Sequence, residues 1–140
     1  MSVFAFAEAQ QSGIFIVKKP GRRNPCEQEL KMLIGGKKVC VLKKPIVDVE
    51  GLEYVTDILY DPIIKSNHIN LGLSSTSVST LNKTILSLPN AEFALVVDDD
   101  VICVFTIYER LTTRYIRIGS DLDIQSLFIV RDKLRKVRYE

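Results

Sequence analysis

The sequence predicts an α+β fold: an antiparallel sheet with two helices packed on one face and a β-rich extension at the N-terminus. Two apolar stripes at helical spacing are the first observation, Val78, Leu81, Ile85 and Leu88, then Leu127, Val130, Leu134 and Val137. Between them lie residues 93–97 and 101–108, rich in β-branched and aromatic side chains and apolar on both alternations, as central strands are. The third observation is the turn-forming run Asp98-Asp99-Asp100, which hinges those two strands together. Strands grouped around two helices, with short connections, specify this class rather than a parallel α/β sheet.

The elements follow in order. Residues 13–19 (GIFIVKK) form a short strand that stops at Pro20-Gly21. Residues 26–34 support two readings. Asn24 as cap, Pro25 at the first helical position and Gly35 as terminator describe a helix. Gly35-Gly36 before Val39-Cys40-Val41-Leu42 describes a hairpin instead. Leu52, Tyr54, Ile58 and Tyr60 share one face of a strand that Thr56 interrupts, and Ile69, Leu71 and Leu73 alternate with Asn70 and Gly72 as a half-buried strand. Ser74 to Ser77 offer several caps for the first helix, which Pro89 stops. Residues 115–118 make a last strand broken by Gly119. Ser120 and Asp123 stand at capping-box spacing before the second helix, whose final turns are basic, matching the negative end of the helix dipole.

A chain of 140 residues suits one domain, expected over residues 13–140, and is long enough to bury a core without a metal or disulfide framework. The net charge of +2 does not mark a nucleic-acid partner, and none is expected. Residues 1–50 carry nine Lys/Arg against five Asp/Glu, whereas residues 51–130 carry five against ten, an asymmetry that could steer a partner's approach. No apolar run approaches the roughly 20 residues of a membrane helix. Residues 1–12, beginning MSVFAFAEAQQ, read as a disordered terminus or a signal-peptide remnant: small-x-small sites are present, but a basic start and a full apolar core are not.

Few residues could carry chemistry. Asp98, Asp99 and Asp100 lack the further carboxylates and glycine of a calcium loop and are expected to be a structural turn. His68 is the single histidine, which excludes a His-rich metal site and is expected at the surface. No phosphate-binding glycine loop is present, so no cofactor is expected. Lys18, Lys19, Arg22 and Arg23 form a basic cluster that could meet an anionic partner, though no interleaved aromatics accompany it. In an oxidising compartment Cys26 and Cys40 are the expected disulfide, since Cys103 sits in a predicted core strand. Closing that loop contributes about 3 kcal/mol on the chain-entropy account. A tight hairpin centred on Gly35-Gly36 would set Cys40 opposite Lys31 and away from Cys26, so the hairpin and the disulfide test each other.

Residues 45–137 resemble the head subdomain of the first periplasmic domain of SecD and SecDF, membrane proteins that assist Sec-dependent export. The resemblance rests on Pro45, Ile69-Asn70-Leu71-Gly72-Leu73, Ala94-Leu95-Val96-Val97-Asp98, Asp100-Val101-Ile102, Tyr115-Ile116-Arg117-Ile118-Gly119 and the helix from Asp121. Asp99 stands where the family turn commonly has glycine, and residues 109–113 replace a glycine-rich linker. The family's transmembrane helices are not within these residues, so no energy-coupling role is implied. The resemblance implies an extracytoplasmic, non-enzymatic module, periplasmic or secreted, that contacts a polypeptide or protein partner. The charge asymmetry suggests a second reading, a small inhibitor or immunity-type protein that neutralises a toxin or enzyme. An enzyme acting through Asp98 to Asp100 or Cys103 is a third.

Overall fold

The structure, a computed structural model, describes residues 10–23 and 25–138, with side chains described as far as Lys136. The expected cap Asn24, most of the terminal segment 1–12 and the Val137 side chain therefore lie outside the described residues. The elements are β1 (Gly13–Ile16), β2 (Gln28–Met32), β3 (Lys38–Val41), β4 (Val47–Asp48), a 3-10 turn (Val49–Gly51), β5 (Leu52–Val55), β6 (Leu59–Asp61), β7 (Ser66–Leu73), α1 (Ser75–Ser87), β8 (Glu92–Val97), β9 (Asp100–Thr106), β10 (Tyr115–Ile118) and α2 (Ile124–Arg138). The architecture is α+β, with two sheets in place of the single expected one.

The larger sheet has the order β3-β2-β9-β8-β1-β4 and the smaller one β10-β7-β5, with β6 also paired to β7. All pairings are antiparallel except β2 with β9, where Lys31 faces Asp100 and Met32 faces Val101. The larger sheet curls on itself. Val17 bridges Val41, the Lys18 N–H donates to the Cys40 carbonyl at 2.8 Å, and the Leu42 N–H to that of Ile16 at 3.0 Å, so β3 reaches back to the end of β1. Inside the curl Phe15, Val39, Val41, Ala94, Val96 and Val101 form a small core. The opposite faces of the same strands, with Phe93, Leu95, Val97 and Ile102, join Leu71, Leu81, Leu127 and Leu134 in a larger core that receives both helices. Two cores explain why β8 and β9 are apolar on both alternations.

Residues 28–32 are a strand, which removes the helical reading of 26–34. The cap and proline signals of Asn24-Pro25 are local, whereas the parallel ladder to β9 and the antiparallel ladder to β3 supply hydrogen bonds to both edges of the segment. The expected strand over residues 52–60 is split, because a bulge between Leu52 and Tyr54 shifts the register, the Thr56 hydroxyl replaces its carbonyl as acceptor of the Asn70 N–H, and residues 57 and 58 leave the ladder. Tyr54 and Tyr60 consequently face solvent. The Tyr54 ring lies over Gly72, where a Cβ would collide with it, so only glycine fits there. Ser74 caps α1 by accepting the Ser77 N–H at 3.1 Å. The second helix is capped by Asp123, which accepts the Ser126 N–H at 2.7 Å, rather than by Ser120.

Candidate functional site

The acidic run sits at the β8–β9 turn. Asp98 and Asp99 occupy the left-handed region with φ of 50° and 68°, the backbone of a two-residue hairpin turn that aspartate tolerates. Their backbone is clasped from the side: the Asp98 N–H donates to Ser12 Oγ at 2.9 Å, and the Asp99 N–H to the Gln11 carbonyl at 2.9 Å. The Gln11 N–H donates in return to Asp99 Oδ1 at 2.9 Å. Asp100 pairs with Lys133 of α2 at 3.1 Å. The Asp99 and Asp100 carboxylates are thus spent on a neighbouring backbone and a lysine, and Asp98 is held through its backbone. No group of three metal-ligating side chains exists among the described residues.

Cys26 and Cys40 are bonded, with Cα atoms 5.5 Å apart. The hairpin coexists with this bond because its turn is centred one residue earlier than the glycine pair. Cys40 consequently faces Glu29, not Lys31, and the chain just before β2 falls beside it. Cys103 is partly covered on β9, and desolvation, with a smaller effect of Asp121, pushes its thiol up to about 12. A thiol protonated at neutral pH is a poor nucleophile. The basic cluster is only partly neutralised, and Lys19, Arg22 and Arg23 remain open to solvent. Lys18 pairs with Glu27 at 3.0 Å and Lys19 lies 4.0 Å from Glu92, while Arg22 and Arg23 stand exposed in the turn after Pro20-Gly21.

His68 is buried, against the expectation of a surface position. It sits on β7 opposite Leu59 of β6, beside the 2.9 Å ion pair between Arg117 and Asp61. Its Nδ1 meets no hydrogen-bond partner. Desolvation, and then Arg117, lower its pKa below the ordinary 6.5; Asp61 and the Ser66 backbone act in the opposite direction. Loss of a proton therefore suits this site better than gain of one.

A concave surface with an apolar floor is one feature that sequence reasoning missed. A groove of about 730 Å³ runs between α1 and residues 107–111. Val78, Ile85, Ile107 and Leu111 supply its floor and pack on the larger core. Leu86 and Tyr108 stand at its edge with 82% and 81% of their surface open, unusual for such large apolar groups. Asn82 fixes the walls: its Nδ2 donates to the Leu111 carbonyl at 3.1 Å, and its Oδ1 accepts the Leu111 N–H at 2.7 Å. This doubly bonded amide makes the groove preformed. Leu86 lies off the inward stripe of α1 and Tyr108 follows the end of β9. Only that misplacement of two large apolar residues could have signalled the site.

The fold has known counterparts. A structure of SecDF in a super-membrane-facing form matches with a TM-score of 0.56 and 13% identity, over 87% of this chain and 19% of that one. A second structure, of SecDF as a membrane component that enhances protein export, matches with a TM-score of 0.59 and 15% identity, over 93% of this chain and 64% of that one. The chain thus spans about a fifth of one counterpart and less than two thirds of the other. The likeness is of fold, and it extends past the residues that carry the sequence resemblance. No family model and no curated protein matches the chain.

Proposed function

We propose that this chain is a non-enzymatic, extracytoplasmic binding module that holds a segment of polypeptide or of a protein partner. The observation that carries the reading is the fold shared with SecDF over nearly the whole chain, SecDF being described as enhancing protein export. The preformed apolar groove between α1 and residues 107–111 gives the module a surface suited to side chains of an unfolded segment. Two observations agree with the extracytoplasmic placement and the lack of catalysis. The Cys26–Cys40 bond belongs to oxidising compartments. The candidate reactive groups, Asp98 to Asp100 and Cys103, are engaged in a turn, paired with a lysine or held protonated. No helix among the described residues is long and apolar enough to cross a membrane. The inhibitor reading rests on the charge asymmetry alone, and no shared fold supports it.

Crosslinking from a photoreactive residue at Tyr108 tests the reading. Crosslinks to unfolded or exported polypeptides in envelope fractions are expected, and recovery of cytosolic partners alone would refute it. Rapid alkylation in intact cells tests the compartment separately, with Cys26 and Cys40 expected to resist until a reductant is added.

A further inference from the structure

We propose that the groove between α1 and residues 107–111 selects segments in which large apolar side chains are flanked by carboxylates. This inference rests on the polypeptide-binding reading and specifies its ligand. The charged side chains that line the groove are Lys83 on α1 and Arg110 opposite, and no carboxylate lines it. Neither cation forms an ion pair among the described residues, as is also true of Lys31, Lys37 and Lys65; what sets these two apart is that they line an apolar groove without an acid beside them. Glu109, next to Arg110 in the chain, is exposed but outside the lining.

The arrangement is therefore an apolar floor between Leu86 and Tyr108 with uncompensated positive charge at its rim. An occupant that buries apolar side chains and places carboxylates at its ends satisfies both features; a basic-flanked segment would meet like charge. A second copy of this chain fits poorly, because a two-fold contact through the groove gathers Lys83 and Arg110 of both copies into one interface without a lining carboxylate. Each exposed pair contributes at most about a fivefold gain in affinity, so two give roughly tenfold at low salt and less at high salt.

The test uses the full chain and short fluorescent peptides that share one Leu- and Phe-containing centre and differ in glutamate, glutamine or lysine flanks, read by anisotropy. The glutamate-flanked peptide is expected to bind about tenfold more tightly than the lysine-flanked one near 50 mM salt, and the gap to narrow near 300 mM. In Lys83→Glu/Arg110→Glu the order should reverse. In Leu86→Ser/Tyr108→Ser all three peptides should weaken together, with an unchanged circular dichroism spectrum showing that the fold is kept. Equal binding of all flanks, or a preference that survives the charge reversal, overturns the inference and leaves polypeptide binding standing. Failure of every peptide to bind refutes the binding reading itself. Concentration-dependent dimerisation abolished by Leu86→Ser would make a second copy the occupant and also overturn the inference.

Discussion

The small core inside the curled sheet and the large core beneath the helices share β8 and β9 but are held by different means. The small one is lined by Phe15, Val39, Val41, Ala94, Val96 and Val101, mostly short side chains. It is enclosed by a nearly continuous ring of backbone hydrogen bonds and the Cys26–Cys40 bond. The large one is built from leucine and isoleucine on both sheets and both helices, and needs no covalent closure. Closure compensates for scarce apolar area, and area makes closure unnecessary. The groove belongs to the second kind: it is the rim of the large core, where α1 has more apolar surface than the core can cover.

The largest expected effect comes from emptying either core. Phe15→Ala should cost about 3–5 kcal/mol and Leu71→Ala about 2–5 kcal/mol in denaturant unfolding. Because β8 and β9 line both cores, each variant is expected to shift one cooperative transition. Two separate transitions in Phe15→Ala would break the comparison by showing the cores to be independent. Cys26→Ser/Cys40→Ser comes next, at about 3 kcal/mol for a loop of this size. Its cost should be additive with Leu71→Ala and non-additive with Phe15→Ala, since only the latter shares the curl that the bond closes.

How far the sequence disclosed this arrangement depends on how local each determinant is. The first helix was legible because Ser74, the inward Leu81 and Pro89 all act within the one continuous segment they start, orient and stop. So were β8 and β9, whose apolar residues on both alternations require cover on both faces, though not that the cover would be two cores. Residues 26–34 were ambiguous because Asn24-Pro25 is a sound local helix start, while the deciding hydrogen bonds come from β9, about 70 residues away. The cysteine pair was named, but its compatibility with the hairpin turned on a one-residue displacement of the turn that composition does not encode. His68 was misplaced because its cover, Leu59 and the Arg117–Asp61 pair, comes from two other strands. The groove was illegible for the same reason: Leu86 and Tyr108 lie on separate elements that the Asn82–Leu111 hydrogen bonds tie together.

Two smaller effects sharpen the contrast on the face of the smaller sheet turned away from the large core. Gly72→Ala should cost about 1–3 kcal/mol because the new methyl displaces the Tyr54 ring. The same change in a Tyr54→Ala background should be nearly free, and an equal cost in both backgrounds would place the strain elsewhere. His68 sets a pH dependence whose sign follows from its lowered pKa. The unfolded chain takes up a proton near pH 6.5 while the folded chain resists. Stability is therefore full above about 6.5 and declines as the pH falls toward the folded value. His68→Gln should flatten that decline, leaving the loss at lower pH from Asp57, Asp61 and Asp123, whose pKa values are also lowered, chiefly by hydrogen bonds.

The smallest effect concerns the acidic turn and separates structure from catalysis there. Asp99→Gly keeps a residue suited to φ of 68° and removes one exposed hydrogen bond to the Gln11 backbone, so stability should change by less than about 1 kcal/mol. Asp99→Ala should cost somewhat more, since alanine resists the left-handed region. Peptide binding in the groove should not change in either variant, because the turn lies at the opposite end of β9 from Tyr108. A variant that folds with wild-type stability yet loses binding would show that the Asp98 to Asp100 carboxylates do more than close a hairpin, and would move the functional surface from the rim of the large core to the mouth of the small one.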